Sequence, residues 1–123
     1  MAAPNIVGVT TITGETAYVS CTGADQVLVD NAASSNYVYK INTIIVANDD
    51  GSSAGDINVA VHDAAAGGGT AYKLAHTVSV AADSTLVVLD KATSIYLPED
   101  KSIVVNGTNG RLDVICSYEK IID

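Results

Sequence analysis

The chain has 123 residues, room for one domain with a real core and too few for two comfortable ones. Hydrophobic residues make up 48%, yet Phe and Trp are absent, so Val, Ile, Leu and Ala must fill the core and six Tyr supply its only large rings. Such side chains suit thin, closely packed layers rather than a roomy pocket. Fourteen acidic residues against six basic ones give a formal charge of -8, and Lys40, Lys73, Lys91, Lys101, Arg111 and Lys120 are scattered. That excludes the basic stripe of a nucleic-acid binder. The acidity reads as a solubility device or as a complement to a basic protein partner.

Residues 1–5 (Met-Ala-Ala-Pro-Asn) show no basic region leading into an apolar run, and the longest apolar runs fall far short of a bilayer. The expectation is a protein made in a cytoplasm with no membrane partner. Ile6 to Ile12 reads as an extended segment, closed by Thr13-Gly14-Glu15. With Pro4, little charge and strong β-propensity, it suits pairing in its own sheet or addition as an edge strand to a neighbouring subunit. Residues 1–12 are therefore read as an arm or first strand, with Ile6, Val7 and Val9 as contact candidates, and residues 13–123 as one domain.

Thr16 to Thr22 is a short strand with Ala17, Val19 and Cys21 on an apolar face and Tyr18 pointing the other way, exposed. Gln26 to Asn31 follows, then the small-residue turn Ala32 to Asn36. Tyr37 to Asn48 is the longest strand. Strict alternation places Tyr37, Tyr39, Ile41, Ile45 and Ala47 on one face and Val38, Lys40, Asn42, Ile44 and Val46 on the other. Both faces are partly apolar, so the strand is central or turns its second face to another subunit. Asp49 to Gly55 reads as an exposed loop leading to a partner strand, Asp56 to Asp63. Asp49-Asp50-Gly51-Ser52 with Asp56 fails the spacing of a calcium-binding EF-hand, and Asp, Gly and Ser are what a plain turn needs.

Ala64 to Gly69 reads as a flexible exposed loop, either a tolerant connection or a tip that approaches a neighbour closely. Gly67-Gly68-Gly69 lacks the Lys and the helix of a phosphate cradle. In Ala71 to Val80 alternation puts His76 with Tyr72, Leu74, Val78 and Val80, whereas His62 falls on the polar face of the preceding strand. Thr85 to Leu89 is a continuous apolar run, which predicts cover on both faces. Ser94 to Leu97 is short, Pro98 to Lys101 is a turn, and Ser102 to Asn106 leads through a tight hairpin at Gly107-Thr108-Asn109-Gly110 into Arg111 to Glu119. There Cys116 shares an apolar face with Leu112, Val114 and Tyr118. Two inward cysteines in a cytosolic product are expected to be free thiols.

About nine short strands with regular turns predict an all-β fold, an antiparallel two-sheet β-sandwich of jelly-roll or Ig-like Greek-key type with no significant helix. No nucleophile, base and orienter stand together, and two cysteines are too few for a metal. The expectation is a chain that is not an enzyme and has no catalytic, cofactor-binding or metal residues. Its candidate contacts are Ile6, Val7, Val9, Tyr18, Tyr37, Tyr39, Asp49, Asp50 and Gly68.

Several stretches carry a resemblance: Ala3-Pro-Asn-Ile-Val-Gly-Val-Thr-Thr-Ile-Thr-Gly14, Asn31-Ala-Ala-Ser-Ser35, Tyr39-Lys-Ile-Asn-Thr-Ile-Ile-Val-Ala-Asn48, Leu86-Val-Val-Leu-Asp-Lys91, Ser94-Ile-Tyr-Leu97 and Val114-Ile-Cys-Ser-Tyr-Glu119. They resemble small virion structural proteins of marine tailed phages such as cyanophages, over nearly the whole chain. These motifs are strand cores and turns and transfer no active site. The resemblance implies a virion component. The reading that fits best is a capsid decoration or cement protein, made in the host cytoplasm and held on the capsid surface. Its partners would be the major capsid protein and copies of itself, with a trimer favoured. A tail, neck or fibre component is the alternative, and a carbohydrate-binding sandwich fits less well, since the chain has no Trp or Phe platforms.

Overall fold

The computed structural model describes Val7, Gly8 and residues 11–122. Nine strands run in chain order: β1 (Thr11–Ser20), β2 (Gln26–Asn31), β3 (Tyr37–Asn48), β4 (Gly55–His62), β5 (Ala71–Val80), β6 (Thr85–Leu89), β7 (Ile95–Leu97), β8 (Lys101–Gly107) and β9 (Leu112–Ile122). Only two single 3-10 turns, Ala65–Gly67 and Lys91–Thr93, interrupt them among the described residues. The expected all-β, two-sheet antiparallel sandwich is what forms.

One sheet, the long sheet, has the order β1-β9-β3-β6, with β7 also paired to β3. β6 pairs with Ile44 to Ala47 and β7 with Tyr39 to Ile41, so the two lie end to end as one broken edge strand. The other, the short sheet, has the order β2-β8-β4-β5. With β6 and β7 counted as one strand, the orders become 1-8-3-6 and 2-7-4-5. Successive strands change sheet at every step except β4 to β5. This is the topology of a jelly roll, which settles the choice between the two expected sandwich types.

Three turn readings are corrected by this crossing pattern. Asp49–Ala54 joins β3 to β4, but those strands are not partners; they lie in opposite sheets. Residues 108–111 do not close a hairpin either, because β8 belongs to the short sheet and β9 to the long one. Thr13-Gly14-Glu15 is not a turn: β1 pairs with β9 without a break from Thr11 opposite Ile122 to Ser20 opposite Asp113. The expected boundary between residues 12 and 13 thus falls inside a strand.

Between the sheets lies a core of aliphatic side chains. Ile41, Ile44, Val46, Val114 and Cys116 of the long sheet face Ile57, Val59, Ile103 and Val105 of the short one, all at 0% exposure. Each fully buried Val, Leu or Ile contributes roughly 1.5–3 kcal/mol. Close packing admits little more. At Gly107 an added Cβ would stand 2.6 Å from Cys21 Sγ and 3.0 Å from Ile57 Cδ1.

Two buried asparagines tie the strand ends. Asn48 donates through Nδ2 to the carbonyls of Ser53 and Val80, and its Oδ1 accepts from the Asp50 amide. Asn31 donates to the carbonyls of Tyr37 and Leu97. Both side chains are almost wholly buried, at 3% and 0% exposure. Each replaces water for backbone groups that no neighbouring strand can reach.

Candidate interaction surface

The outward face of the long sheet is assembled by strand register. Pairing of β3 with β9 shifts between Ile41 and Thr43, leaving Asn42 as a bulge. The extra residue inverts the alternation beyond it. Ile44 and Val46 therefore turn inward with Tyr39 and Ile41, and Ile45 and Ala47 turn outward. The expected division of this strand holds from Tyr37 to Ile41 and reverses after the bulge.

The consequence is an apolar row that crosses the whole sheet. Tyr18 of β1 pairs with Ile115 of β9, Ile115 with Ile45 of β3, and Ile45 with Val87 of β6. Tyr18 is 75% exposed, Val87 56% and Ile115 37%. Val87 corrects a second expectation, since the Thr85–Leu89 run is an edge strand whose outer face the chain leaves bare. Lower rows flank this ridge: Ser20, Asp113, Ala47 and Thr85 on one side, and Thr16, Ser117 and Thr43 on the other. Beside Tyr18 a shallow hollow of about 400 Å³ opens between Thr16, Val19, Ser20, Asp113 and Ile115. In that hollow Ser20 Oγ donates to Asp113 Oδ1 at 2.7 Å. Farther along the face, Ile12 and Tyr96 are also exposed.

The short sheet treats its outer face differently. Its triple-glycine loop lies flat against the strands. The Gly67 amide donates to Ser102 Oγ, and that hydroxyl donates to the Ala64 carbonyl. The Ala66 amide donates to Asp30, the Ala65 amide to Asp100. Gly67, at φ 76, rests its Cα within reach of Val104 and Val27, where a Cβ would stand 3.4 and 3.5 Å from their methyls. Gly68 is half-buried, its amide bonded to the Ala65 carbonyl and its carbonyl to His62 Nδ1. The expected flexible tip is thus a lid on the protein's own sheet, and Val104 beneath it is only 6% exposed.

The other candidates divide. Tyr39 belongs to the core at 8% exposure. Its ring lies 5.2 Å from that of Tyr118 and 6.3 Å from that of Tyr37, and Lys120 Nζ sits 4.2 Å from the centre of the Tyr37 ring. Burial pushes the Tyr118 hydroxyl up to about 12, helped by the Glu15 carboxylate to which it donates at 3.5 Å. Tyr39 is raised by burial and by the same carboxylate. Asp49 is exposed. Asp50 organises its own loop: Oδ1 accepts from the amides of Ser52 and Ser53 at 2.8 and 3.0 Å, and Oδ2 lies 3.3 Å from Arg111 Nε. Those amide bonds, with the Ser52 hydroxyl and Arg111, hold its carboxyl below the usual range. Val7 is exposed, and Ile6 and Val9 lie outside the described residues.

Little else offers chemistry. His76, expected on an apolar face, is exposed, because the pairing of β4 with β5 shifts register between Ile57 and Val59. Cys21 and Cys116 are free and buried. Burial pushes the Cys116 thiol up to about 12 and raises Cys21, the latter aided by the Asp113 charge. Among the described residues no group of three or more His, Cys, Asp or Glu is placed to hold a metal ion. No described helix is long and apolar enough to cross a membrane.

Sequence reasoning found Tyr18 but missed Ile45, Val87 and Ile115. Only the Asn42 bulge and the pairing of β6 at the sheet edge bring those three into line with it.

No protein-family model and no curated protein matches the chain. Among solved structures it is similar to a chain of the Bacillus endospore appendages, which form a novel family of disulfide-linked pili. That match has a TM-score of 0.51 and 14% identity, over 91% of this chain and 88% of that one. A chain of the cyanophage Pam1 capsid asymmetric unit aligns with 100% of this chain and 93% of its own length, at a TM-score of 0.38 and 11% identity. The first likeness is one of fold; the second is too distant to carry an argument.

Proposed function

We propose that the chain is a structural protein of a tailed-phage particle, a decoration or cement protein that sits on the outer shell and bridges neighbouring capsomers. Its work is mechanical, and it is not an enzyme. The observation that carries this reading is the exposed apolar row of Tyr18, Ile115, Ile45 and Val87 on the long sheet of a tightly filled jelly roll. Exposed apolar area concentrated on one flat face marks a contact surface. The resemblance of its strand and turn motifs to marine phage virion proteins supports the same role.

A filled core with pinned strand ends suits a part that must transmit load rather than open. Asn31 and Asn48 fasten the ends of β2 and β3, and the loop of residues 64–70 lies over Val104 on the short sheet.

Quantitative mass spectrometry of purified particles tests the placement. Hundreds of copies per particle are expected for a shell component. A handful would assign the chain to the tail, neck or fibre, and its absence from particles would remove the virion role altogether.

A further inference from the structure

We infer that the free edge of β1 pairs with the β1 edge of a second copy, antiparallel about a twofold axis at Thr16, so that two long sheets join into one. The inference rests on backbone groups at the sheet edge and on the side chains beside them. It does not rest on the shell role.

The ladder decides which backbone groups are free. β1 pairs with β9 without a register shift, and one residue farther on the Cys21 amide donates to the Leu112 carbonyl. In an antiparallel ladder such bonds fall on alternate residues. Thr13, Glu15, Ala17 and Val19 therefore bond β9, and the N–H and C=O groups of Ile12, Gly14, Thr16 and Tyr18 point away from it. β1 is the last strand of its sheet, so among the described residues no strand takes them up. Gln26 Nε2 donates to the Ser20 carbonyl, which ends the run. The other sheet edges are blunted. β5 bulges twice against β4 and holds Thr77 at φ 50. β2 bulges at Leu28, and its Asp30 is bonded to the Ala66 amide. β6 and β7 are parted by the Lys91–Thr93 turn. The β1 edge is the one that is both long and straight.

A free edge accepts an extended backbone, and the side chains of β1 select a second β1 as that backbone. Antiparallel pairing centred on Thr16 sets Gly14 opposite the other copy's Tyr18 and, by symmetry, Tyr18 opposite the other copy's Gly14. Tyr18 is 75% exposed, and a Cβ on Gly14 would meet nothing within 4 Å. Each ring thus lies across the bare backbone of the other copy's glycine, the arrangement by which an aromatic side chain rescues an edge glycine. Glu15 then faces Ala17. The neighbouring register, centred on Glu15, would set two carboxylates directly opposite each other. Pairing from Gly14 to Tyr18 forms about six backbone hydrogen bonds between the copies. It is isologous and consumes both straight edges, so assembly closes at two copies.

Sedimentation velocity of the full chain, alone and under reducing conditions, tests the inference across a wide concentration range. A monomer–dimer equilibrium is expected. Thr16→Pro should weaken it roughly tenfold or more, because it removes an N–H that points out of the sheet. The β1–β9 ladder keeps all its bonds, and circular dichroism should show the variant folded. Thr16→Cys decides the matter even where the proline variant fails to fold. Oxidation with diamide should link its two copies by a disulfide, since directly opposite residues in a bonded pair stand about 5.5 Å apart at Cα. Ile12→Cys, also at an exposed position on β1, should not link, because its counterpart lies roughly 27 Å away along the paired strands. A chain that stays monomeric throughout, a dimer kept by a folded Thr16→Pro, or a disulfide formed by Ile12→Cys and not by Thr16→Cys would overturn the inference.

Discussion

Tyr18 of β1 stands directly opposite Ile115 of β9 on the outer face of the long sheet, and both remain exposed. The pairing is informative because the chain can cover a sheet when it needs to. Over the short sheet it lays residues 64–70 across Val27 and Val104, with four hydrogen bonds from backbone amides and a serine hydroxyl holding them down. On the long sheet the row that holds Tyr18, Ile115 and Val87 stays exposed. Its strands are fully formed, its inner side is sealed, and its outer side presents an aromatic ring and three aliphatic side chains in one line.

The bulge at Asn42 makes a sharp prediction about two adjacent isoleucines. Ile44 faces the core at 0% exposure, and Ile45 faces outward. Ile44→Ala should cost about 2–5 kcal/mol of folding stability, from lost burial and the cavity left behind. Ile45→Ala should cost about 1 kcal/mol or less in the monomer. Urea unfolding at a concentration where the chain is monomeric checks both. Equal losses would place the bulge elsewhere.

Asn48→Ala should destabilise by about 2–4 kcal/mol, because the Ser53 and Val80 carbonyls both lose their donor in a site that excludes water. Asn48→Asp should be worse than Ala, since a carboxylate offers acceptors to carbonyls that need a donor. An Asp variant as stable as the parent would show that the amide is not the donor.

Gly107→Ala should cost about 1–3 kcal/mol by overpacking against Cys21 Sγ and Ile57 Cδ1. Cys21→Ala in the same chain removes the nearest of those atoms. The double variant should therefore lose less than the sum of the two single losses, a coupling read from a double-mutant cycle. Strictly additive losses would mean that the strand shifts to admit the methyl.

These side chains show which parts of the molecule could be read from sequence. Strand positions were legible: Tyr37–Asn48, Gln26–Asn31, Ala71–Val80 and Thr85–Leu89 form where apolar alternation and turn residues mark them. The inward Cys116 and the outward Tyr18 were legible for the same reason. Partners were not. Gly107-Thr108-Asn109-Gly110 has hairpin chemistry, yet it carries the chain from one sheet to the other, because a jelly roll closes its core by crossing at nearly every turn. The bulge at Asn42 was also hidden. Asn is not a bulge signal, and the extra residue exists only because β9 and β3 must keep Ile44 and Cys116 in register across it. Residues 64–70 read as loose because glycine is permissive, whereas here it lets the backbone lie flat on Val104.

Alkali should expose the buried thiol. Cys116 titrates at about 12 in the folded chain against 9.0 when exposed, and Tyr118 at about 12 against 10.0. A raised acid is neutral in the fold and ionises more easily once unfolded. Its contribution is fully present below pH 9 for Cys116 and is lost as pH rises towards about 12. Thermal unfolding followed from neutral pH upward should show stability falling through that window. Cys116→Ala should flatten the fall in part, leaving the share due to Tyr118. Below pH 9 neither cysteine should react with a thiol reagent until the chain is unfolded. Rapid labelling of Cys116 in the native protein would contradict its burial.

The heat stability of stripped and reconstituted particles tests the structural role most directly. Particles from which the protein has been removed should release their DNA at a lower temperature than intact ones. Adding the purified chain back should restore the original temperature. Stripped particles that hold their DNA as well as intact ones, with no change on adding the chain back, would contradict a role in strengthening the shell.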